Sequence, residues 1–399
     1  MPEITLYTPH PNQAKIHEAI NEGPYKYYTA NIGRQFGKSL LGENQNLYWM
    51  INYPGCVCGW VSPTFRQAQK VYDEIIQAFD GSGLLKTNAQ KMTITLGKSS
   101  LQFFSAERYD NMRGFTFNYL TCDEFAYYDP EAWTKVLKPT VLVKGQKVLF
   151  LSTPRGKNHF YTIHQLDGVN AAYKSFTMTS YDNPYINPEE IEEAKQTLPD
   201  HIFRQEYLAE FVDGGAGLFN GVEYRDHEDK GDRNYAGVDV GRAEDYTVLS
   251  VFNDKGQQIY VERWRHDSWA NITSKVADRI NEFDAMTFVE VNGVGDPVYE
   301  QIKQKVNNSE NVRSWVTSTK SKKDIVEDLA IACQNQDIVL KDCDWLRKEF
   351  EVFTYEYNPK SKVIKYGAPV GFHDDGVMST AIAHYSYKHG KSLGVYSIV

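Results

Sequence analysis

The sequence predicts two α/β halves joined near residues 212–230, and three observations carry that expectation. In the first half, short apolar strands alternate with helical segments, the pattern of a largely parallel sheet covered on both faces. A glycine-rich stretch, "VDGGAGLFNGVEY", then interrupts the alternation. The second half restarts with three strands at hairpin-like spacing, "NYAGVDVG", "DYTVLSVFND" and "QQIYVERWRH".

Composition narrows the classes. The 399 residues, 41% hydrophobic and 24% charged, leave room for two or three domains of a soluble globular protein. No apolar run approaches the roughly 18 residues of a membrane span. The opening "MPEITLYTPH" lacks the layout of a signal peptide. Five irregularly spaced cysteines suit neither a disulfide framework nor a zinc site, so a reducing, cytoplasmic setting is expected. A net charge of −9 argues against a surface coated in basic patches but allows a local basic channel.

The elements follow in order. "YKYYTANI" reads as the first strand and Gly37 to Tyr53 as the helix after it. "CVCGWVSP" is a strand, followed by the amphipathic helix "FRQAQKVYDEIIQAF". "KMTITLG", "SLQFFSA", "NYLTCDEF" and "KVLFLSTP" are short strands; the last two are nearly all apolar and suit the buried centre of a parallel sheet. "YDNPYINPEEIEEAKQTLPDHIFRQEYLAEF" reads as mostly helical. Beyond the three hairpin-spaced strands come helix "SKVADRINEF" and strand "MTFVEVNG", a further helix–strand pair ending in "NVRSWVTS", and a last helix beginning near His373.

Chemistry enters at "GRQFGKSLL", between the first strand and its helix. The stretch is one residue short of the phosphate-loop pattern G-x-x-x-x-G-K-[ST], because Ile32 stands where the first glycine belongs. The strand-to-helix turn still presents free backbone N–H groups and the positive helix end to an anion. Lys38 is placed to reach the β- and γ-phosphates of ATP, and Ser39 to bind its Mg²⁺. The competing reading is a helix start that resembles the motif by accident. A second element weighs against accident: "YLTCDEF" ends a strand in two acids, with two strand–helix passages between it and the loop. Asp123 suits the Mg²⁺ of the nucleotide, and Glu124 suits orientation or deprotonation of the attacking water. Ser152, Thr153 and Pro154, after the next strand, are placed to sense the γ-phosphate. Gln13 fits two readings equally, an adenine-edge contact or a surface helix position.

The second half carries acids at three strategic places. Asp239 lies in an apolar strand, Glu290 ends another, and Asp374 and Asp375 open the last helix. Buried carboxylates on neighbouring elements call for a cation, and an all-oxygen set suits Mg²⁺ or Mn²⁺ rather than zinc. Three strands, helix, strand and an acid-bearing helix is the order of the RNase H-type nuclease fold, in which two metals about 4 Å apart serve phosphodiester cleavage. Each acid has a plainer reading: Asp239 as a turn cap with Gly241, Asp374 as a helix N-cap. Asp245 and His373 are candidates for supporting positions around a metal. Lys320, Lys322 and Lys323 read as a solvated helix start that, beside a nuclease groove, would meet phosphates.

Together the halves resemble one family over nearly the whole chain, the large terminase subunit of tailed double-stranded DNA bacteriophages. In that family arginine and glutamine precede the glycine–lysine pair of the phosphate loop, as Arg34 and Gln35 do between Gly33 and Gly37. The family's adenine-side glutamine, acid pair and coupling motif match Gln13, Asp123 with Glu124, and Ser152 to Pro154. Arg113 in "RGFTFNYLTCDEF" stands where members carry an arginine acting across a subunit interface, so the arginine finger is Arg34 or Arg113. The nuclease triad matches Asp239, Glu290 and the "HDD" acids, with Asp245 as accessory. Position 290 departs from the family's aspartate, and little chain follows the last helix, which puts docking through a long tail in question.

The resemblance implies a P-loop (RecA/ASCE-like) ATPase with a parallel-rich sheet at 1–211, including a lid and linker subdomain at about 176–211. A linker at 212–230 and an RNase H-like nuclease with a mixed sheet at 231–399 complete the chain. It further implies an ATP-driven motor that packages double-stranded DNA through the portal of a procapsid and cuts concatemers with Mg²⁺ or Mn²⁺. The implied partners are a portal protein, a small terminase subunit and a ring of copies, usually five. The implied location is the host cytoplasm, transiently at the portal, not the mature virion. A helicase–nuclease of recombination or defence is the alternative, but it would normally need two RecA-like domains where this chain has one phosphate loop.

Overall fold

The structure, a computed structural model, describes residues 7–212, 218–227, 229–241, 245–265, 267–292, 295–358, 363–369 and 371–390. The expected linker glycines Gly214, Gly215 and Gly217 lie outside the described residues. The chain divides into two compact units, residues 1–194 with 202–213, and residues 195–201 with 214–399.

The first unit opens with α1 (Pro11–Glu22), β1 (Tyr27–Ile32), α2 (Lys38–Asn52), β2 (Val57–Ser62) and α3 (Phe65–Ala78). Next come β3 (Leu85–Asn88), β4 (Thr93–Leu96), β5 (Ser99–Ser105) and β6 (Tyr119–Asp123). The short α4 (Lys138–Thr140), β7 (Lys147–Ser152), α5 (His159–His164) and β8 (Tyr173–Met178) follow. Two more helices, α6 (Pro188–Thr197) and α7 (Asp200–Glu206), straddle the division between the units. The eight strands lie in the order β3-β4-β5-β2-β6-β7-β1-β8. Pairing is parallel from β5 to β8 and antiparallel only where β3 and β4 extend the edge.

Apolar sequence explains the centre of this sheet. β6 is buried at every residue and β7 at all but its first, because strands covered on both faces need no polar alternation. On one face Tyr28, Ala30, Trp60 and Leu149 pack with α1, α2 and α3; on the other Leu120, Val148 and Phe150 pack with Trp133 and Phe160. The edge strands β3 and β8 are not legible in the sequence. Both are largely polar and partly exposed, so neither produces an apolar run.

The second unit begins with β9 (Asn234–Asp239), β10 (Thr247–Asn253) and β11 (Gln258–Trp264), an antiparallel meander as the hairpin spacing required. Then α8 (Trp269–Phe283), β12 (Ala285–Glu290), α9 (Gly295–Lys305) and β13 (Val312–Trp315) add parallel strands beside β9, in the order β11-β10-β9-β12-β13. The chain continues through α10 (Thr319–Gln334), α11 (Asp344–Val352), the hairpin β14 (Thr354–Asn358) and β15 (Val363–Gly367), and α12 (Asp375–Gly390). Val238, Leu249 and Val251 share one core with Ile272 and Val276 of α8, while α10, α11 and α12 cover the opposite face through Phe252 and Phe288. Gly237 lets α12 lie directly on β9: a Cβ there would fall 2.2 Å from the Ala383 nitrogen, and Ser379 Oγ donates to the Gly237 carbonyl at 3.0 Å. This mixed sheet is the RNase H-like architecture expected. The helices α10 and α11 and the β14–β15 hairpin go beyond that expectation.

Candidate active sites

In the first unit the turn after β1 is built by its neighbours as much as by its own residues. Gly33 donates to the Met178 carbonyl at 2.9 Å, and a Cβ on it would meet the Tyr207 carbonyl oxygen at 2.6 Å. The Arg34 N–H donates to the Glu206 carbonyl at 2.7 Å, and Ser180 Oγ donates to the Arg34 carbonyl at 2.8 Å. Gln35 and Gly37 adopt left-handed φ values of 59° and 93°, which turns the loop back toward the start of α2. At Gly37 both the φ and the space demand glycine, because a Cβ would lie 2.6 Å from Gln13 Nε2.

Gln13 is therefore not a surface residue. It is buried, closes a capping box with His10, and donates through Nε2 to the carbonyls of Phe36 and Gly37 at 3.4 and 3.2 Å. The surface alternative read from the sequence fails because α1 packs over the loop.

The other predicted residues of this site converge where the order β6-β7-β1 places them. Lys38 Nζ donates to Thr153 Oγ1 at 2.8 Å and stands 3.5 Å from Glu124 Oε1. Glu124 Oε2 accepts from the Thr153 N–H and from Ser152 Oγ, both at 3.4 Å. Glu124 holds a left-handed φ of 49°, a conformation a non-glycine residue keeps only when its surroundings impose it. Asp123 is buried, and its Oδ1 has no hydrogen-bond partner among the described residues. Burial first, and then the Glu124 charge, push the Asp123 carboxyl up to about 8. A buried carboxylate oxygen without a partner, beside a lysine and an exposed Ser39, fits a divalent cation carried in with a phosphate.

The two arginines are placed differently. Arg34 pairs through Nε with Glu206 Oε2, and this hydrogen bond raises its pKa. Arg113 lies in a surface turn with its Nε 2.8 Å from Asp110 Oδ1. No hydrogen bond or ion pair among the described residues joins Arg113 to Lys38, Asp123 or Glu124. The sequence reading missed Glu206, Ser180 and the buried Glu43 of α2, whose carboxyl burial pushes up to about 8. Nothing local marks them, since their importance comes from long-range packing.

In the second unit the strand ends of β9 and β12 and the start of α12 surround a cavity of about 290 Å³ lined by Asp239, Asp245, Glu290, Asp374 and Asp375. Asp239 is buried, and burial together with a hydrogen bond to Glu290 holds its carboxyl well above the carboxylate range. Asp375 Oδ2 accepts from the Tyr246 N–H at 3.1 Å and lies 3.5 Å from His373 Nδ1. Burial raises the Asp375 carboxyl to about 6. Ligand atoms of Asp245, His373 and Asp375 lie within 4.8 Å of one another. Carboxylates crowded around one cavity are the donor set of a hard cation such as Mg²⁺ or Mn²⁺.

The adjacent acids at the start of α12 differ in their partners. Asp375 faces Tyr246 and His373, whereas Asp374 Oδ2 accepts from Lys322 Nζ at 3.0 Å. Lys322 thus departs from a solvated helix start, while Lys320 remains exposed and Lys323 stands 4.0 Å from Glu327. Behind Asp375, Glu349 of α11 accepts from the Gly376 N–H at 2.7 Å and pairs with Arg263 at 3.5 Å. The Arg263 guanidinium lies over the rings of Tyr246 and Trp345, 4.3 and 4.4 Å from their centroids. This brace is invisible in the sequence because α11 itself is.

Comparison with known proteins gives consistent results. Residues 30–225 match the family described as "Terminase large subunit, T4likevirus-type, N-terminal". The large terminase subunit of Thermus virus P23-45 is 26% identical, over 97% of this chain and 89% of that protein. That of Escherichia phage T5 is 28% identical, over 61% of this chain and 60% of its own. The solved structure of a large terminase from a thermophilic bacteriophage shares the fold, with a TM-score of 0.51 over 97% of this chain and 100% of that one at 14% identity.

Proposed function

We propose that the chain is a member of the large terminase subunit family and acts as a DNA-packaging motor subunit: an ATPase that drives double-stranded DNA into a procapsid, joined to a metal-dependent endonuclease. The observation that carries the reading is the meeting of Lys38, at the start of α2, with Thr153 and Glu124 at the ends of β7 and β6. A strand-end acid, a loop lysine and a hydroxyl between them are the parts that bind a triphosphate and aim water at it.

In this reading Gly33, Arg34, Gln35, Gly37 and Lys38 cradle the phosphates, and Gln13 fixes the loop from the adenine side. Glu124 orients the attacking water, and Ser152 with Thr153 transmits the state of the γ-phosphate. Mg²⁺, when bound by Ser39 and Asp123, supplies charge neutralisation at the phosphates. Arg113, exposed and tied only to Asp110 among described partners, suits a role completing a neighbouring copy's site. Arg34, held by Glu206, serves within its own subunit.

We assign the ATPase to residues 1–211 with a lid and linker subdomain at about 176–211, the linker to 212–230 and the nuclease to 231–399. In the nuclease, Asp239, Glu290 and Asp375 would hold Mg²⁺ or Mn²⁺, with Asp374 and Asp245 beside them, and the metal would supply Lewis-acid activation for phosphodiester hydrolysis. The partners proposed are double-stranded DNA, a portal protein, a small terminase subunit and a ring of copies, a pentamer by family analogy, docked on the procapsid. No helix among the described residues is long and apolar enough to cross a membrane, and we place the protein in the host cytoplasm, at the portal only during packaging.

The decisive experiment is reconstitution with procapsids bearing their portal. DNA should become protected from added nuclease only when ATP and this chain are both present. Folded protein that hydrolyses ATP yet protects no DNA at any ratio to procapsids would overturn the motor reading.

A further inference from the structure

The acid-lined cavity of the second unit contains a side chain that metal binding alone does not require. Lys322 is the only lysine or arginine among the described residues that line it, against five carboxylates. It sits in the first turn of α10, whose start is fixed by the capping box of Ser318 and Ser321. From there its ammonium reaches Asp374 Oδ2 at 3.0 Å, with the two side chains 26% and 30% exposed. The end of β15 comes close as well: a Cβ on Gly367 would lie 3.4 Å from Asp374 Oδ2 and 4.0 Å from Lys322 Nζ. Asp375 has separate partners in Tyr246 and His373, so the two acids at the start of α12 are held by different groups.

Resting on the nuclease reading above, we propose that Lys322 and a divalent cation compete for Asp374, so that full metal loading waits for a DNA phosphate to draw the ammonium away. The ammonium occupies one Asp374 oxygen, and its positive charge beside the carboxylate opposes a second cation there. A pair this exposed breaks at modest cost. The phosphodiester is the ligand that offers the ammonium an equivalent contact, since lysine binds phosphate as a point charge. Metal and DNA then favour each other by linkage, each tightening the other by the same factor. In the absence of DNA, Asp239, Glu290 and Asp375 remain to hold a first cation. Cutting is thereby restricted to sites where DNA is already seated.

The test is Mn²⁺ binding to the full-length protein, measured by titration calorimetry with no DNA and with a cleavage-resistant phosphorothioate duplex, corrected for Mn²⁺ bound by the duplex alone. Without DNA, Lys322→Met should tighten the weaker Mn²⁺ step by about 5-fold or more, the low end of ordinary coupling between sites. Lys322→Arg should behave like the wild type. The duplex should tighten that step in the wild type and leave Lys322→Met unchanged. Wild-type Mn²⁺ affinity in Lys322→Met, or in Lys322→Gln should the first variant not fold, overturns the proposal. The nuclease reading fails by a different result: Asp239→Ala binding Mn²⁺ as tightly as the wild type.

Discussion

The two candidate sites lie at strand ends, and both are rich in acid, yet their charges are balanced in opposite ways. In the first unit the acid pair Asp123 and Glu124 faces a lysine 3.5 Å from Glu124, on a loop whose backbone curls toward an anion. Such a site holds both signs and suits a ligand that brings both, a phosphate chain with its cation. In the second unit five carboxylates face one lysine among the described lining residues, and burial with crowding by Glu290 and Asp375 holds the Asp239 carboxyl well above the carboxylate range. That site suits cations first and a phosphate afterwards. The lesson is that the sign left uncompensated identifies the ligand more directly than the fold does.

The sharpest way to break this comparison is to cross its two halves. Glu124→Gln should cost ATP hydrolysis by a factor of about 10²–10⁴, the range of a lost general base, and Lys38→Ala should abolish it by removing the phosphate counter-charge. Neither should affect metal-dependent DNA cleavage by the full-length chain. Asp239→Ala should bring cleavage to the metal-free background while ATP turnover stays at the wild-type rate. Wild-type cleavage by purified Asp239→Ala would remove the RNase H-type assignment.

A smaller but more telling effect concerns the two arginines. Arg113→Ala should lower ATP turnover by on the order of 10³-fold in assembled rings, as removal of an arginine finger does. Mixing Arg113→Ala with Lys38→Ala subunits should restore part of the activity, because mixed interfaces pair an intact loop with an intact finger. Absence of recovery at every mixing ratio, with assembly verified, would assign the role to Arg34 alone.

The smallest expected effect tests burial rather than catalysis. Glu43 is buried in α2, and its carboxyl is raised to about 8. Between the ordinary glutamate range and that value the folded chain keeps a proton that the unfolded chain has lost, so stability falls as pH rises through the window. Glu43→Gln should melt like the wild type near pH 5 and roughly 3 °C or more higher near pH 8. Equal melting temperatures at both pH values would mean that Glu43 ionises without penalty.

Much of the fold was legible because its signals are local. The apolar runs of β6 and β7, the hairpin spacing of β9 to β11 and the acids at the ends of β6, β9 and β12 all stand out in a short window. The structure brings Lys38, Glu124 and Thr153 together, and gathers Asp239, Glu290 and the α12 acids, through strand order, which the sequence implied only as alternation. What stayed hidden depends on distant packing or on weak patterns. Gln13 looked ambiguous because its partners, Phe36 and Gly37, are reached only when α1 folds over the loop. Helix α10 reads only as a basic helix start, since its first turn is polar and its apolar residues come later. Asp374 and Asp375 could not be told apart, because one step along a helix start turns a side chain by about 100°, and their separate partners lie before β10 and on α10.

The bracing of the phosphate loop also sets when, during synthesis, this site comes into being. Arg34 and Glu206, which meet through both backbone and side chain, are 172 residues apart in the chain. At the usual 5–20 residues per second, the ribosome needs roughly ten to thirty seconds to pass from one to the other. Through that interval the nascent loop lacks the carbonyls of Glu206 and Tyr207 that fix its floor. A chain released before about residue 207 would carry every residue of the lysine–acid motif and still have an unshaped nucleotide pocket. Affinity for ATP, followed on stalled chains of increasing length, should therefore appear late and abruptly, well after the last strand of the sheet has left the ribosome.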